Sequence, residues 1–108
     1  GGPTVSEFAL AIRVGGATWL ESEDGVEGIT SPAGESVVPM WIADAPPTQL
    51  VAPHGRRTAV ELESLIDNVL LEVDQHGDLI GMGRGDDMAL VHPAMLRRRI
   101  LMEPDPKP

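Results

Sequence analysis

Three glycines at alternate positions, Gly81, Gly83 and Gly85, invite comparison with a phosphate-binding loop. Such loops lead directly into a helix whose N-terminus holds the phosphate, and a P-loop continues with Gly-Lys-Ser or Gly-Lys-Thr. Here the residues that follow favour a strand, and that continuation is absent. We therefore interpret the segment as the flexible turn of a hairpin.

Potential metal ligands cluster between Asp74 and Asp78, with Asp86 and Asp87 nearby. A calcium-binding loop of the EF-hand type needs oxygen ligands at alternating positions over about 12 residues and a closing glutamate. That pattern is absent, and the chain contains no cysteine to form a thiolate zinc site. The sequence predicts neither a metal site nor a cofactor.

The histidines His54, His76 and His92 all flank predicted turns. None has a histidine partner four residues away on a helix, and no Gly-x-Ser-x-Gly nucleophile motif occurs. We assign no catalytic residue and expect no enzyme. A small hydrolase that pairs a histidine with a serine or an aspartate stays an alternative, because such sites are recognised by geometry rather than by order.

Two arginine clusters stand out in an acidic chain. Arg56 and Arg57 precede Thr58, the predicted start of a helix, where guanidinium groups and free amides would point at one anion. We therefore consider a small-anion or small-ligand site formed by Arg56, Arg57 and Thr58. The other cluster, Arg97, Arg98 and Arg99, is either a solvated helix face or a contact for a partner.

Trp19 and Trp41 are predicted on neighbouring strands. Their large apolar rings favour packing in the core. The alternative is an exposed aromatic platform for a partner protein.

The composition fits one domain. The chain has 108 residues, a net charge of −9 and no cysteine. The acidic charge disfavours nucleic-acid binding, and no apolar run is long enough to cross a membrane. We expect a soluble, cytoplasmic, bacterial protein with one domain over 4–102. We interpret 1–3 as a tag remnant with a disordered start and 103–108 as a disordered tail.

Helical periodicity appears in three segments. Thr4 and Glu7 have the spacing of a capping box at the start of a first helix. A second helix is predicted over 59–75, with a continuous apolar stripe from Leu62 to Val73. Thr58 and Glu61 repeat the capping-box spacing at its start. Pro93 suits the first turn of a final helix.

Strand patterns fill the remainder. Ala17–Glu21, Val26–Thr30 and Ser36–Ile42 predict an antiparallel meander, and 78–83 with 88–91 predict a hairpin. We therefore predict an α+β domain, with a mainly antiparallel sheet of about five strands and helices packed on one face. Pro39 cannot donate to a ladder, so its strand is predicted to lie at an edge or to bulge, and an exposed edge there would permit a homodimer.

This order of features resembles a bacterial family described as domain of unknown function 2750. The resemblance covers about 4–101 and rests on short motifs: Ala17-Thr18-Trp19-Leu20, Pro39-Met40-Trp41, the helix Leu62–Val73 and Val91-His92-Pro93. The N-terminal domain of SseB-like secretion-associated proteins is also similar. Both resemblances imply an α+β fold without assigned catalytic residues.

From these features we expect a non-catalytic, protein-binding or regulatory module, such as an immunity-like inhibitor or an adaptor. An acidic domain of this size suits a basic protein partner, because complementary charge speeds association. Candidate contacts are Trp19, Trp41 and the arginines Arg97, Arg98 and Arg99.

Overall fold

A mixed β-sheet carries the helices on one face in the computed structural model, which describes residues 2–48 and 55–102. The strands are β1 (Ala17–Ser22), β2 (Gly25–Val26), β3 (Ile29–Thr30), β4 (Ser36–Ile42), β5 (Arg56–Ala59), β6 (Leu79–Arg84) and β7 (Asp87–Val91). The helical segments are α1 (Val5–Gly15), α2 (Leu62–Ser64), a π-helical turn (Leu65–Val69), α3 (Leu70–Gln75) and α4 (Pro93–Met102). The predicted α+β class is confirmed.

The spatial order of the main strands is β5-β1-β4-β6-β7. Strands β4 and β6 are parallel, and every other pairing is antiparallel. A parallel pair needs a long crossover, and here the chain supplies it through β5 and the helix that follows. The predicted hairpin is confirmed as β6 and β7, which are joined through Gly85 and Asp86.

The strand predicted over Val26–Thr30 is instead two short pieces, β2 and β3. β2 pairs with the end of β1, and β3 pairs with the start of β4. Between them the N–H of Glu27 donates to the carbonyl of Leu20 at 2.7 Å. The two pieces therefore lie between the diverging ends of β1 and β4, which pair directly at their other ends.

Of the two alternatives predicted for the strand of Pro39, an edge position or a bulge, the edge position is wrong. β4 is central, with β6 on one side and β1 and β3 on the other. On the second side β3 pairs with Ser36 and Val37, whereas β1 pairs with Met40, Trp41 and Ile42. Residues 38 and 39 have no strand partner on this side. Because no ladder hydrogen bond is formed there, the missing N–H of Pro39 costs the sheet little. The edge on which the homodimer argument rested is not present.

The helix predicted over 59–75 begins later, at Leu62. Arg56–Ala59 forms β5, which pairs with β1 along Thr18 to Glu21. The residue at the N-cap is Glu61, and its side chain makes no capping bond. The capping box predicted for Thr58 is therefore wrong, because strand pairing with β1 takes the residues that would have formed the first turn.

From Leu62 to Gln75, α2, the π turn and α3 follow one another without interruption, and we call residues 62–75 the central helix. Its apolar stripe packs on the sheet as predicted, with Leu65, Leu70 and Val73 buried. α4 lies beside both α1 and α3. The predicted capping box of Thr4 and Glu7 at the start of α1 is confirmed.

The core between helices and sheet is mostly aliphatic, with one phenylalanine and one tryptophan. Its buried members are Phe8, Ala9, Ile12, Ala17, Trp19, Val38, Met40, Leu65, Leu70, Val73, Ile80, Met82, Val91, Leu96 and Ile100.

Gly2 and Pro3 also belong to the fold, against the expectation of a disordered start. Pro3 is buried, and a Cβ on Gly2 would lie 2.4 Å from the amide nitrogen of Ala89. The tail predicted over 103–108 lies outside the described residues.

Candidate functional site

A cleft of about 410 Å³ opens between the central helix and the β1–β2 hairpin. Its floor consists of the four valines Val26, Val38, Val69 and Val73. Its rim carries Asp24, Gly25, Glu72, His76 and Asp78. We call this site the valine cleft.

Segments far apart in sequence meet at the floor. Val26 stands on β2, where its backbone pairs with Glu21 of β1, and Val38 stands on β4. Val69 closes the π turn, and Val73 follows one turn later on α3. Val38 and Val73 are buried, whereas Val26 and Val69 are half-buried, so apolar surface remains open to a ligand or partner.

The rim is held by the turn that ends the central helix. Gly77 adopts φ +75°, the left-handed conformation that permits this turn, and the N–H of Asp78 bonds to the carbonyl of Val73 at 3.1 Å. The Nδ1 of His76 lies 2.9 Å from the carbonyl of Glu72, where it can only donate. The other ring nitrogen, Nε2, therefore carries no proton when the ring is neutral and can accept a hydrogen bond.

Acidic surface continues from the valine cleft onto the β1–β2 hairpin. A shallow hollow of about 610 Å³ is lined there by Glu21, Ser22, Glu23, Asp24, Glu27 and Arg56. Asp24 contributes to both the hollow and the cleft. The hollow contains one arginine, Arg56, which is the cross-strand neighbour of Glu21. Together the two sites present carboxylates beside the partly accessible surface of Val26 and Val69.

Metal binding and nucleophilic catalysis each need a particular grouping of side chains. Within the described ranges, no group of three or more histidine and carboxylate side chains is placed to hold a metal ion. His76 and His92, the histidines that the structure describes, make no hydrogen bond there to a serine or carboxylate side chain. His54 lies outside the described residues.

The predicted anion site loses its structural basis. Arg56, Arg57 and Thr58 are strand residues, and the helix start lies beyond them at Leu62. Alternate side chains of a strand point to opposite faces, so Arg56 and Arg57 diverge instead of converging on one ligand. The free amides at the helix start, which were expected to bind the anion together with these arginines, lie at Leu62 and beyond.

The two tryptophans do not form an exposed platform. Trp19 is 5 % exposed and lies in the core between helices and sheet. Trp41 is 1 % exposed on the opposite face of the sheet, where its indole ring lies against Gly83. The prediction of core packing is confirmed for Trp19, and for both residues the exposed alternative is wrong.

The three consecutive arginines of α4 point in different directions. Arg97 is half-buried and donates from Nε to the carbonyl of Ile66 at 2.9 Å, whereas Arg98 and Arg99 are exposed. Helical geometry separates consecutive residues by about 100°, which accounts for this division. Arg97 therefore stabilises the fold, and Arg98 and Arg99 face the surroundings.

Comparisons of the chain with protein-family models, curated proteins and solved structures found no match. Across residues 2–48 and 55–102, no helix has the length and apolarity needed to cross a membrane. Sequence reasoning missed the valine cleft, since the residues from Asp74 to Asp78 had been considered only as potential metal ligands. The available signal was Glu72, which lies next to Val73 and close to Val69 of the helical stripe.

Proposed function

We propose that this protein is a non-catalytic binding module whose valine cleft receives a basic segment of another protein. The observation that carries the proposal is the cleft itself, which combines an apolar floor with carboxylates at its rim. Apolar contact supplies affinity at the centre of an interface, and charge at the rim steers and selects the partner.

The shape of the site favours lysine or arginine side chains. Each has an apolar stem, which would lie over Val26 and Val69, and a cationic head, which would meet Asp24 or Glu72. A small-molecule site usually aims a few polar groups inward, whereas here the charged groups stand at the edge. The acidic hollow beside the cleft extends the attraction to further positive charges.

Charge also determines how the partner approaches. The chain carries a net charge of −9, so a basic protein is attracted from a distance before it docks. Association should therefore slow as salt is added, because screening shortens the range of this attraction. Cytoplasmic location and bacterial origin stay predictions from the sequence.

A labelled peptide of alternating lysine and valine residues tests the proposal, with the same peptide carrying glutamate for lysine as its control. Fluorescence anisotropy against the intact chain should show binding of the lysine peptide only, and this binding should weaken with salt. Glu72→Lys should weaken it by about tenfold, the scale of one lost close charge pair. Val69→Thr should also weaken it, because a hydroxyl replaces part of the apolar floor.

Glu63→Lys provides the matched control. It makes the same change of charge at another exposed position of the central helix, outside the residues that line the cleft. Binding to this variant should fall only by the small amount that the altered net charge causes. Equal loss in Glu63→Lys and Glu72→Lys, or binding that is insensitive to Val69→Thr, would show that the acidic surface attracts peptides without a docking site.

A further inference from the structure

The outer face of α4 has the composition of a second docking surface, separate from the valine cleft. Met95, Arg98, Arg99 and Met102 line a shallow depression of about 280 Å³. Their spacing along the helix, i, i+3, i+4 and i+7, places all four on one side. Leu96 and Ile100, which are buried, form the opposite side of the same helix.

Apolar side chains are unusually accessible on this face. Met95 is 56 % exposed and Met102 is 64 % exposed. The neighbouring helix α1 also exposes two large apolar side chains, Leu10 and Val14. Scattered exposed apolar residues are ordinary, but a group of them rimmed by charge marks an interaction surface.

The charge of this face is opposite to that of the whole chain. α4 carries three arginines and no carboxylate between Pro93 and Met102, although the net charge of the protein is −9. Arg97 is held against Ile66, so the charges offered outward are those of Arg98 and Arg99. A partner that fits must therefore bring carboxylates together with apolar side chains.

We propose that the outer face of α4 docks an acidic amphipathic helix of a partner protein. A stripe with this spacing accepts the ridge of a second helix, whose leucine-type side chains would pack between Met95 and Met102. Carboxylates beside that ridge would meet Arg98 and Arg99, and each guanidinium can bind a carboxylate through two hydrogen bonds.

Two other occupants fit less well. A second copy that packed α4 against α4 would bring Arg98 and Arg99 close to the same residues of its partner, and like charges repel. An anionic membrane surface would attract these two arginines but would repel the rest of a chain whose net charge is −9. An acidic helix is also repelled by the net charge, but it covers the apolar stripe and brings its carboxylates only beside Arg98 and Arg99, so it meets less of this repulsion than an extended anionic surface does.

The test uses a designed helical peptide with leucines at i, i+3, i+4 and i+7 flanked by glutamates, and the same peptide with lysines for glutamates. Anisotropy should show binding of the glutamate peptide. Arg98→Glu combined with Arg99→Glu should weaken it by about tenfold or more, as expected for close charge pairs across an interface. Met95→Ser should weaken it as well, and circular dichroism should confirm that each variant is folded.

The matched control is Arg56→Glu combined with Arg57→Glu, which makes the same change of charge at two exposed positions of β5. This control should retain most of the binding. If the charge-reversed α4 variant does not fold, Arg98→Gln with Arg99→Gln takes its place with a smaller expected loss. Equal losses in both arginine pairs, absence of peptide binding, or preferential binding to vesicles of anionic phospholipid would overturn the proposal. Self-association that is abolished by the α4 variant alone would identify a second copy as the occupant and would overturn it too.

Discussion

The Nε of Arg97 on α4 donates a hydrogen bond to the main-chain carbonyl of Ile66, 2.9 Å away inside the π turn of the central helix. In a π turn the amide of residue i+5, rather than i+4, bonds to the carbonyl of residue i, as Leu70 does to Leu65. The wider turn brings a carbonyl within reach of a side chain from the neighbouring helix. Arg97 thus ties α4 to the central helix.

Replacing Arg97 should destabilise the fold. Arg97→Ala removes a charged donor from a partly buried carbonyl, which should cost about 1–2 kcal/mol of unfolding free energy. Urea denaturation monitored by circular dichroism would measure it. Arg98→Ala, one residue away and exposed, should change stability by less than about 0.5 kcal/mol. Equal effects of the two substitutions would contradict a structural role for the Arg97 contact.

Gly83 is required by the indole ring of Trp41. A Cβ on Gly83 would lie 2.3 Å from Cδ1 and 2.6 Å from Nε1 of that ring, so the ring or the strand would have to move. Gly83→Ala should therefore cost about 1–3 kcal/mol, the range for overpacking, and should shift the tryptophan fluorescence spectrum. Thermal unfolding and emission spectra would check this.

Gly81→Ala is the control for Gly83→Ala. Its Cβ would lie 2.5 Å from the Sδ of Met88, a flexible side chain that can adopt another rotamer. We expect a smaller loss of stability and a nearly unchanged emission spectrum. If Gly81→Ala lowers the stability more than Gly83→Ala does, the rigid Trp41 ring is not the reason that position 83 requires glycine.

Short-range patterns predicted much of this fold. The capping box at Thr4, the stripe from Leu62 to Val73 and the strand Ser36–Ile42 are local signals, and the structure contains each of them. The edge position predicted for Pro39 was wrong. The prediction assumed that a central strand has continuous partners on both sides, so that a proline within it would always remove a ladder hydrogen bond. The sequence does not show that β1 and β3 divide one side of β4 between them.

The candidate site was less accessible to sequence reasoning. The helix start was placed at Thr58 because Thr58 and Glu61 have capping-box spacing, yet pairing with β1 draws Arg56–Ala59 into the sheet. Tertiary pairing of this kind overrides local preference. The valine cleft likewise depends on the approach of Val26 on β2 to Val69 on the central helix, and these two residues are 43 positions apart in the sequence.

Leu70 tests the packing of the central helix on the sheet. It is 1 % exposed, and Leu70→Ala should cost about 2–5 kcal/mol because it removes apolar contact and leaves a cavity. The adjacent Leu71 is 41 % exposed, so Leu71→Ala should cost much less. Denaturant unfolding of the two variants compares the same chemical change at positions that differ in burial. Similar losses would mean that residues 62–75 do not present the stripe to the core.

Asp86 is expected to titrate below the usual range of an aspartate. The Thr48 hydroxyl, and after it the Thr48 amide, donate hydrogen bonds to its carboxylate and hold the pKa of Asp86 below the ordinary value of 3.8. Because the folded state favours the ionised form, the stabilisation is present above the ordinary pKa and is lost as the pH falls through the folded pKa.

Thr48→Val should raise the pKa of Asp86 towards its ordinary value, since the variant lacks the hydroxyl donor but keeps the amide. Titration of the side-chain carboxyl carbon by NMR would measure the shift. Glu7 is the internal control, because its pKa is lowered by the amide and hydroxyl of Thr4 at a separate site. A shift at both carboxyls would indicate a general change in the fold. A shift at Asp86 alone would show that this side-chain contact fixes residue 48 against the β6–β7 turn, where Gly85 also donates to the carbonyl of Ala45 at 2.7 Å.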